Sequence, residues 1–201
     1  MANYPRREHR TQNLDEHMLL IKEQVHKSMR DPELRPLAVK IVSGRVDAYR
    51  HDSRTGRDKP IIRAWGRDFI APTRTQCEPR DDDCEVRMVW EFMVDNVRYV
   101  YDPVNADYFA VTGATLKMGG GDCDDFVIGF ASLLQELGFR CAGRVVATGG
   151  SPDWSHTYPL VGVCSKDAPS RWVPLDATVK GATPGWQYDD VTKYADYEMW
   201  T

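Results

Sequence analysis

The sequence predicts an α+β fold, with helices in the first half of the chain, one central buried helix, and an antiparallel sheet after it. Apolar residues recur at helical spacing in three segments before residue 97. The strongest amphipathic pattern covers residues 122–137, and three short strand-like runs separated by turn residues follow it. A series of helices followed by a series of strands is typical of α+β proteins and not of alternating parallel ones.

The first helix is predicted from residue 14 to residue 29, where the apolar residues are Leu14, Met18, Ile21, Val25 and Met29. Pro32 ends or kinks this segment, and the apolar pattern from Leu34 predicts a second helix that stops near Gly44 or a little later. Residues 50–60 are rich in charged and turn-forming residues, which predicts an exposed loop or hinge.

A third helix is predicted from about residue 83 to residue 96, with an apolar stripe that indicates core packing. Residues 97–103 predict a short extended segment, and the glycines at 119–121 predict a break before the central helix at 122–137. Strand-like runs follow at 140–147, 156–164 and 171–175. The aromatic residues of the tail, 178–201, predict packing back over the sheet, with a substrate cleft or partner surface as the alternative.

The composition is that of a soluble globular protein: 201 residues, 42% hydrophobic, 28% charged, with a formal net charge of −4. The acidic balance provides no basic field for nucleic acid or anionic lipid, so we expect neither as a partner. No run reaches the roughly 18 apolar residues that span a bilayer. The first thirty residues lack the apolar core of a signal peptide. We therefore expect a cytoplasmic protein.

The five cysteines are odd in number, which favours free thiols in a reducing compartment over a disulfide framework. Cys77 and Cys84 are the one pair close together in the sequence, across an acidic loop. We expect unpaired thiols at these positions, with a local disulfide or a metal clip as the alternatives.

The chemistry is concentrated in residues 121–125, which read Gly-Asp-Cys-Asp-Asp at the start of the central helix. A thiol in the first turn, here Cys123, lies at the positive end of the helix dipole, which favours the thiolate. The unpaired backbone N–H groups there can hold an oxyanion. A small buried thiol among helix-capping carboxylates is the ordinary structural explanation. Because the neighbouring acids raise the pKa of a thiol, a nearby cation is needed to form the thiolate.

His156 can supply that cation, and Asp176 can hold its imidazole in the required tautomer. His156 opens one strand-like run, and Asp176 closes the next one. Taken singly, each has an ordinary explanation, as a hydrogen-bonded histidine or as a turn-forming acid. Together with Cys123 at a helix start, they follow the order of a Cys–His–Asp triad on an antiparallel sheet that faces a helix.

Three blocks resemble the signature blocks of the transglutaminase-like superfamily, whose core is related to that of papain-like cysteine proteases. They are Gly-Asp-Cys-Asp-Asp at 121–125, Ser-His-Thr-Tyr at 155–158 and Trp-Val-Pro-Leu-Asp-Ala-Thr at 172–178. Val-Arg-Tyr-Val-Tyr-Asp-Pro at 97–103 resembles the stretch that precedes the nucleophile in those proteins. The resemblance covers roughly residues 83–178. It implies a central helix with the nucleophile at its N-terminus, packed on an antiparallel sheet.

The resemblance implies that Cys123 is the nucleophile, His156 the general base and acid, and Asp176 the orienting acid. Relatives often place a Trp, Gln or Tyr side chain in the oxyanion hole. The candidates for that position in this chain are Tyr99, Tyr101 and Trp90. No cofactor and no metal is expected, and the sequence lacks the acidic calcium-binding insertions of animal transglutaminases.

The resemblance also divides the chain into a helical N-terminal extension, residues 1–55, and a transglutaminase-like catalytic domain, residues 56–201. The compact size and the extension resemble proteins encoded by tailed phages and prophages. A peptide or protein substrate is therefore expected, with a phage virion or host protein as partner. The corresponding location is the host cytoplasm or the virion.

A thiol–imidazole pair attacks an amide carbonyl, and the nucleophile that then enters decides the product. Water gives hydrolysis of a peptide or isopeptide bond, whereas a lysine amine gives transamidation. Small relatives resemble hydrolases more often, so hydrolysis is favoured. A catalytically silent phage structural or assembly module is the non-enzymatic alternative. A metal site of Cys123 with Asp122, Asp124 and Asp125 is disfavoured because consecutive helical residues point in different directions.

Overall fold

The computed structural model of the chain describes residues 13–73, 76–102 and 108–200. Over these ranges the protein combines helices with antiparallel sheets, which confirms the predicted α+β class. The helices described are α1 (Leu14–Ser28), α2 (Leu34–Ser43), α3 (Asp82–Asn96), α4 (Thr112–Met118) and α5 (Cys123–Glu136). The strands described are β1 (Ala48–Asp52), β2 (Arg57–Ala64), β3 (Arg67–Ile70), β4 (Arg98–Tyr99), β5 (Gly120–Gly121), β6 (Cys141–Ala147), β7 (His156–Val163), β8 (Arg171–Pro174) and β9 (Lys193–Glu198). No helix in the described ranges is both long and apolar enough to cross a membrane.

The first two helices form where the sequence predicts them, and both pack against α5. Asn13 caps α1 by accepting a hydrogen bond from the Asp15 N–H at 3.1 Å. α2 ends at Gly44, whose φ of 65° is a left-handed conformation that glycine adopts without strain. The core-facing apolar residues of α1 are Met18, Ile21 and Val25.

The predicted division at residue 55 falls in the turn between β1 and β2. Helices α1 and α2 bury their apolar residues in the same core cluster as α5. Residues 1–12 of the predicted extension lie outside the described residues. The division into an extension and a catalytic domain remains a prediction.

The predicted exposed loop at residues 50–60 is wrong, because β1 and β2 form a hairpin there. The two strands pair antiparallel, from Ala48 opposite Ile61 to Asp52 opposite Arg57, and β3 extends the sheet on the other side of β2. Most side chains of β1 are exposed. The strand is therefore held by backbone pairing and lacks the alternating apolar residues that reveal a strand in a sequence.

Cys77 and Cys84 form a disulfide, so the expectation of unpaired thiols at these positions is wrong. The chain turns back between them, with the Asp81 N–H donating to the Glu78 carbonyl at 3.1 Å. Asp81 then caps α3 by accepting from the Cys84 N–H at 3.0 Å. This turn brings the two cysteine Cα atoms to 5.7 Å, within the span of a disulfide. The argument for a reducing compartment loses the support of this pair.

Helix α5 is buried along most of its length and packs across a sheet with the strand order β8-β7-β6-β9. Two glycines allow the layers to approach closely. A Cβ at Gly129 would lie 2.6 Å from the terminal methyl of Met93 in α3. A Cβ at Gly143 of β6 would lie 2.7 Å from the methyl groups of both Met18 and Met199. The helix that carries Cys123 is thus held between α1, α3 and the sheet.

The sheet contains the three predicted strands, now β6, β7 and β8, together with β9 from the tail, which the sequence did not indicate. β9 pairs antiparallel with β6, and its side chains are exposed or half-buried, without the apolar alternation of a typical strand. The predicted packing of the tail over the sheet is confirmed by contacts between three of its residues and a buried cluster on β6 and β7. Those residues are Tyr188, Val191 and Trp200.

Two short elements position the loop before α5. Helix α4, which the sequence analysis missed, ends at Gly119 in a left-handed conformation. β5 then pairs in parallel with β4, placing Arg98 opposite Gly120 and Tyr99 opposite Gly121. The predicted extended segment at 97–103 is confirmed at residues 98–99, and its last residue lies outside the described residues. This pairing holds Tyr99 beside the start of α5.

Candidate active site

The N-terminus of α5 presents Cys123 in the first turn of a buried helix. The preceding residue, Asp122, caps the helix by accepting from the N–H groups of Asp124 at 3.0 Å and Asp125 at 3.3 Å. Cys123 is 4% exposed, and the Thr157 backbone N–H donates a hydrogen bond to its sulfur. The first residues of β7 therefore lie against the thiol.

His156 and Asp176 form a hydrogen-bonded pair at the adjoining part of the sheet. Nε2 of His156 lies 2.8 Å from Oδ2 of Asp176, whose side chain is fully buried. Thr178 supports the carboxylate, since its N–H and its hydroxyl both donate to Oδ1, at 3.0 and 2.7 Å. With Nε2 bound to the carboxylate, Nδ1 is the ring nitrogen that remains for exchange of a proton with another group.

The three predicted catalytic residues come from different elements and meet at one end of α5. Thr157, which bonds the Cys123 sulfur, follows His156 directly in β7. Asp176, two residues after β8, is close enough to raise the pKa of the thiol through its charge. His156 and Asp176 thus bind each other, and both lie on segments that approach the Cys123 sulfur.

The thiol lies in an environment that disfavours its negative charge. Burial raises the pKa of Cys123 well above its usual value, and the carboxylates of Asp124 and Asp122 raise it further. The hydrogen bond from Thr157 acts in the opposite direction. These neighbours favour the thiol over the thiolate, so ionisation of Cys123 needs a base that accepts its proton.

Two carboxyl groups of the same turn have pKa values far above the ordinary range for aspartate. Burial, followed by the charges of Asp124 and Asp102, raises the pKa of Asp122 to about 8. Burial raises the pKa of Asp125 to about 6, against the hydrogen bond from the Ala110 N–H at 3.0 Å. Protonation of Asp122 near neutral pH limits the negative charge beside the sulfur, whereas Asp125 is mostly ionised there.

The orienting acid behaves in the opposite way. Burial raises the pKa of Asp176, but the charge and hydrogen bond of His156 and the two hydrogen bonds from Thr178 outweigh it, so the net pKa is lowered. Asp176 is therefore a stable carboxylate beside the His156 ring.

The three oxyanion candidates occupy different environments. Tyr99 is half-buried, and burial raises its pKa, as does the nearby charge of a Cys123 thiolate. Its hydroxyl therefore remains a donor close to the sulfur. Tyr101 packs edge-on against Tyr99, with ring centroids 4.9 Å apart. Trp90 is buried in α3 and stacks on Phe130 of α5 at 5.7 Å.

Sequence reasoning missed two residues that contact the predicted triad or its neighbours. His17 lies on the buried face of α1, with Nε2 3.0 Å from Oδ2 of Asp124. Its position on the apolar stripe of the first helix was a signal, because a polar residue there needs a buried partner. Thr178 follows Asp176 by two residues, a spacing at which its N–H and hydroxyl can donate back to the acid.

Three consecutive residues at the start of α5 bring potential metal ligands together. One ligand atom each from Asp122, Cys123 and Asp124 lies within 4.8 Å of the others. These residues thus converge more closely than helical geometry led us to expect. Both carboxylates have other partners in this structure, Asp122 the helix N–H groups and Asp124 the imidazole of His17.

Comparison with known proteins yields one distant structural match. No family model matches the sequence, and no curated protein matches it. Part of the chain is similar to a proposed cysteine protease from Cytophaga hutchinsonii, with a TM-score of 0.38 and 16% sequence identity. The match covers 58% of this chain and 45% of the other, so this chain spans less than half the length of that protein. At this distance, activity has to be inferred from the site itself.

Proposed function

We propose that the protein is a cysteine-dependent amide-bond enzyme with a transglutaminase-like core, acting through a thioester intermediate and favouring hydrolysis of a peptide or isopeptide bond. The observation that carries the proposal is the hydrogen bond between the partly buried His156 and the fully buried Asp176, next to the helix terminus that presents Cys123. A thiol, an imidazole and a carboxylate in this order have the composition of a nucleophile, a base and an orienting group.

In the first half-reaction, Nδ1 of His156 accepts the Cys123 proton as the sulfur attacks the amide carbonyl. The resulting oxyanion is stabilised by the Cys123 backbone N–H and the Tyr99 hydroxyl, because the N–H groups of Asp124 and Asp125 already donate to Asp122. The C–N bond then breaks, and the imidazolium gives its proton to the leaving amine. The products are a free amine and a thioester on Cys123.

In the second half-reaction, His156 accepts a proton from an entering water molecule, whose oxygen attacks the thioester carbonyl. Collapse of the tetrahedral intermediate expels the sulfur, which regains its proton from the imidazolium. Asp176 stays ionised throughout, because its lowered pKa keeps it a carboxylate while the ring gains and loses charge. A primary amine in place of water gives transamidation, so the residues of the triad are common to both outcomes.

The test is a set of amide substrates incubated with and without a primary amine, with products identified by mass spectrometry. The substrates are a glutamine-containing peptide, a peptide with an ordinary backbone amide and a lysine-linked isopeptide. We expect hydrolysis by the wild type and by Cys164→Ser, which removes an exposed thiol away from the triad, and none by Cys123→Ala. Formation of an amine adduct would show that the reaction is transamidation and not hydrolysis. Absence of both products would favour a catalytically silent module.

A further inference from the structure

A second buried imidazole–carboxylate pair lies on the other side of the proposed nucleophile. Nε2 of His17 is 3.0 Å from Oδ2 of Asp124, and the two side chains are only 6% and 4% exposed. The ring of Phe109 packs edge-on against His17, with centroids 5.1 Å apart. The pair is thus removed from solvent. In the protein interior, a charge without a partner is strongly unfavourable.

Asp124 contacts the nucleophile as well as His17. Its Oδ1 lies 3.9 Å from the Cys123 sulfur, while its Oδ2 faces the imidazole. A carboxylate at this distance opposes ionisation of the thiol unless a cation balances it. His17 lies where such a cation is required.

We propose that His17 is a positioning residue for the nucleophile, whose imidazolium balances the Asp124 carboxylate and so permits Cys123 to ionise during catalysis. This inference rests on the proposed function, because it concerns the same thiol. It assigns helix α1, part of the predicted N-terminal extension, a direct role in the chemistry of the site.

The charged and titratable groups around the sulfur come from every element packed there. The start of α5 contributes Asp122, Asp124 and Asp125. Strand β4 contributes Tyr99, and the segment after it contributes Asp102. The sheet side contributes His156 and Asp176, and α1 contributes His17. Acids predominate in this set, and the imidazole of His156 is already bonded to Asp176. The charge of Asp124 is therefore balanced from α1.

Helix α1 is tied to the rest of the fold by hydrogen bonds at its first and last turns. At its first turn, the Tyr197 hydroxyl donates to Asp15 at 2.7 Å. At its last turn, Nε2 of His26 lies 3.2 Å from the Met199 carbonyl oxygen, and Ser28 accepts from the Thr112 N–H at 3.0 Å. The helix that carries His17 is therefore anchored on both sides of the His17–Asp124 contact.

The experiment measures the pH dependence of iodoacetamide alkylation at Cys123, located by peptide mass spectrometry, in a Cys164→Ser background. We expect His17→Gln to raise the midpoint of this profile by about one unit, because the amide retains a donor but not a charge. Asp124→Asn is expected to lower the midpoint. The double variant is expected to return it to within a few tenths of a unit of the background value.

The matched control is His51→Gln, an exposed histidine of β1 whose Nδ1 lies 3.0 Å from Oδ1 of Asp58. This variant should leave the midpoint unchanged. A folded His17→Gln protein with an unmoved midpoint would overturn the role of His17. If His17→Gln does not fold, an unmoved midpoint in Asp124→Asn overturns it instead. A Cys123 that alkylates no faster than an ordinary thiol refutes the proposed function itself.

Discussion

Replacement of Asp176 by asparagine removes the charge of the orienting acid while keeping the size and shape of its side chain. The native carboxylate accepts hydrogen bonds from His156 and from two groups of Thr178, and its side chain is fully buried. Asparagine fills the same volume but is neutral, and its amide N–H2 must face a donor on one side or the other. The variant therefore weakens the imidazolium at His156 without opening a cavity.

The size of the effect follows from the geometry. With Nε2 2.8 Å from Oδ2, the centres of the two charges lie roughly 4 Å apart, and at an effective dielectric constant of about 20 they attract by about 4 kcal/mol. Since about 1.4 kcal/mol corresponds to a factor of ten, the thiolate–imidazolium population should fall by up to about a thousandfold, reduced by the gain from removing a charge that raises the pKa of Cys123. We expect the alkylation rate of Cys123 to fall with it.

The assay is the second-order rate of iodoacetamide alkylation at Cys123, measured between pH 6 and pH 7 in the Cys164→Ser background. Asp167→Asn, which neutralises an exposed acid, is the control for a general change in charge. Circular dichroism checks that the variant remains folded. A rate for Asp176→Asn within threefold of the background would refute the idea that the Asp176 charge stabilises the imidazolium.

Three further predictions concern stability. Because folding raises the pKa of Asp122 from 3.8 to about 8, the unfolding free energy should decrease as pH rises between these values. Urea denaturation at pH 5 and pH 8.5 should show a smaller decrease for Asp122→Asn, which keeps the helix cap, and an equal decrease would contradict the assignment. Gly121→Ala places a Cβ 2.6 Å from the Asp125 Cβ and should cost about 1–3 kcal/mol in the same measurement. Cys84→Ser opens a loop with a sequence separation of 7, so it should cost about 2 kcal/mol, whereas an unchanged midpoint under non-reducing conditions would argue against the disulfide.

The helices were predictable because the spacing of their apolar residues indicates which face of each helix is buried. In α1, residues such as Met18, Ile21 and Val25 recur at helical spacing, and α5 is so apolar that its central position follows from the sequence. The strands β6, β7 and β8 were visible for the same reason, since most of their residues are buried.

Elements held by backbone pairing were not predictable. β1 and β9 expose most of their side chains, so neither has the alternating pattern that marks a strand. The disulfide was misjudged because pairing depends on the turn at Asp81, which brings the two cysteines together in space.

The candidate site likewise has a part that the sequence predicted and a part that it did not. The order of Cys123, His156 and Asp176 along the chain was sufficient to propose a triad, because strand ends and helix starts meet at one edge of such a fold. The contact of His17 with Asp124 joins residues more than a hundred positions apart, and no local pattern encodes it. Its presence on an apolar stripe indicated only that it needs a partner.

The central claim is that Cys123 is an activated nucleophile although it is buried, and competition between thiols tests it directly. Wild-type protein is treated with a limiting amount of a vinyl-sulfone probe at pH 6, and the labelled cysteine is identified by peptide mass spectrometry. Accessibility alone favours the exposed Cys164 over Cys123, which is 4% exposed. We predict preferential labelling of Cys123, lost in Cys123→Ala and strongly slowed in His156→Ala. Labelling confined to Cys164, or equal labelling of Cys123 in His156→Ala, would contradict the account.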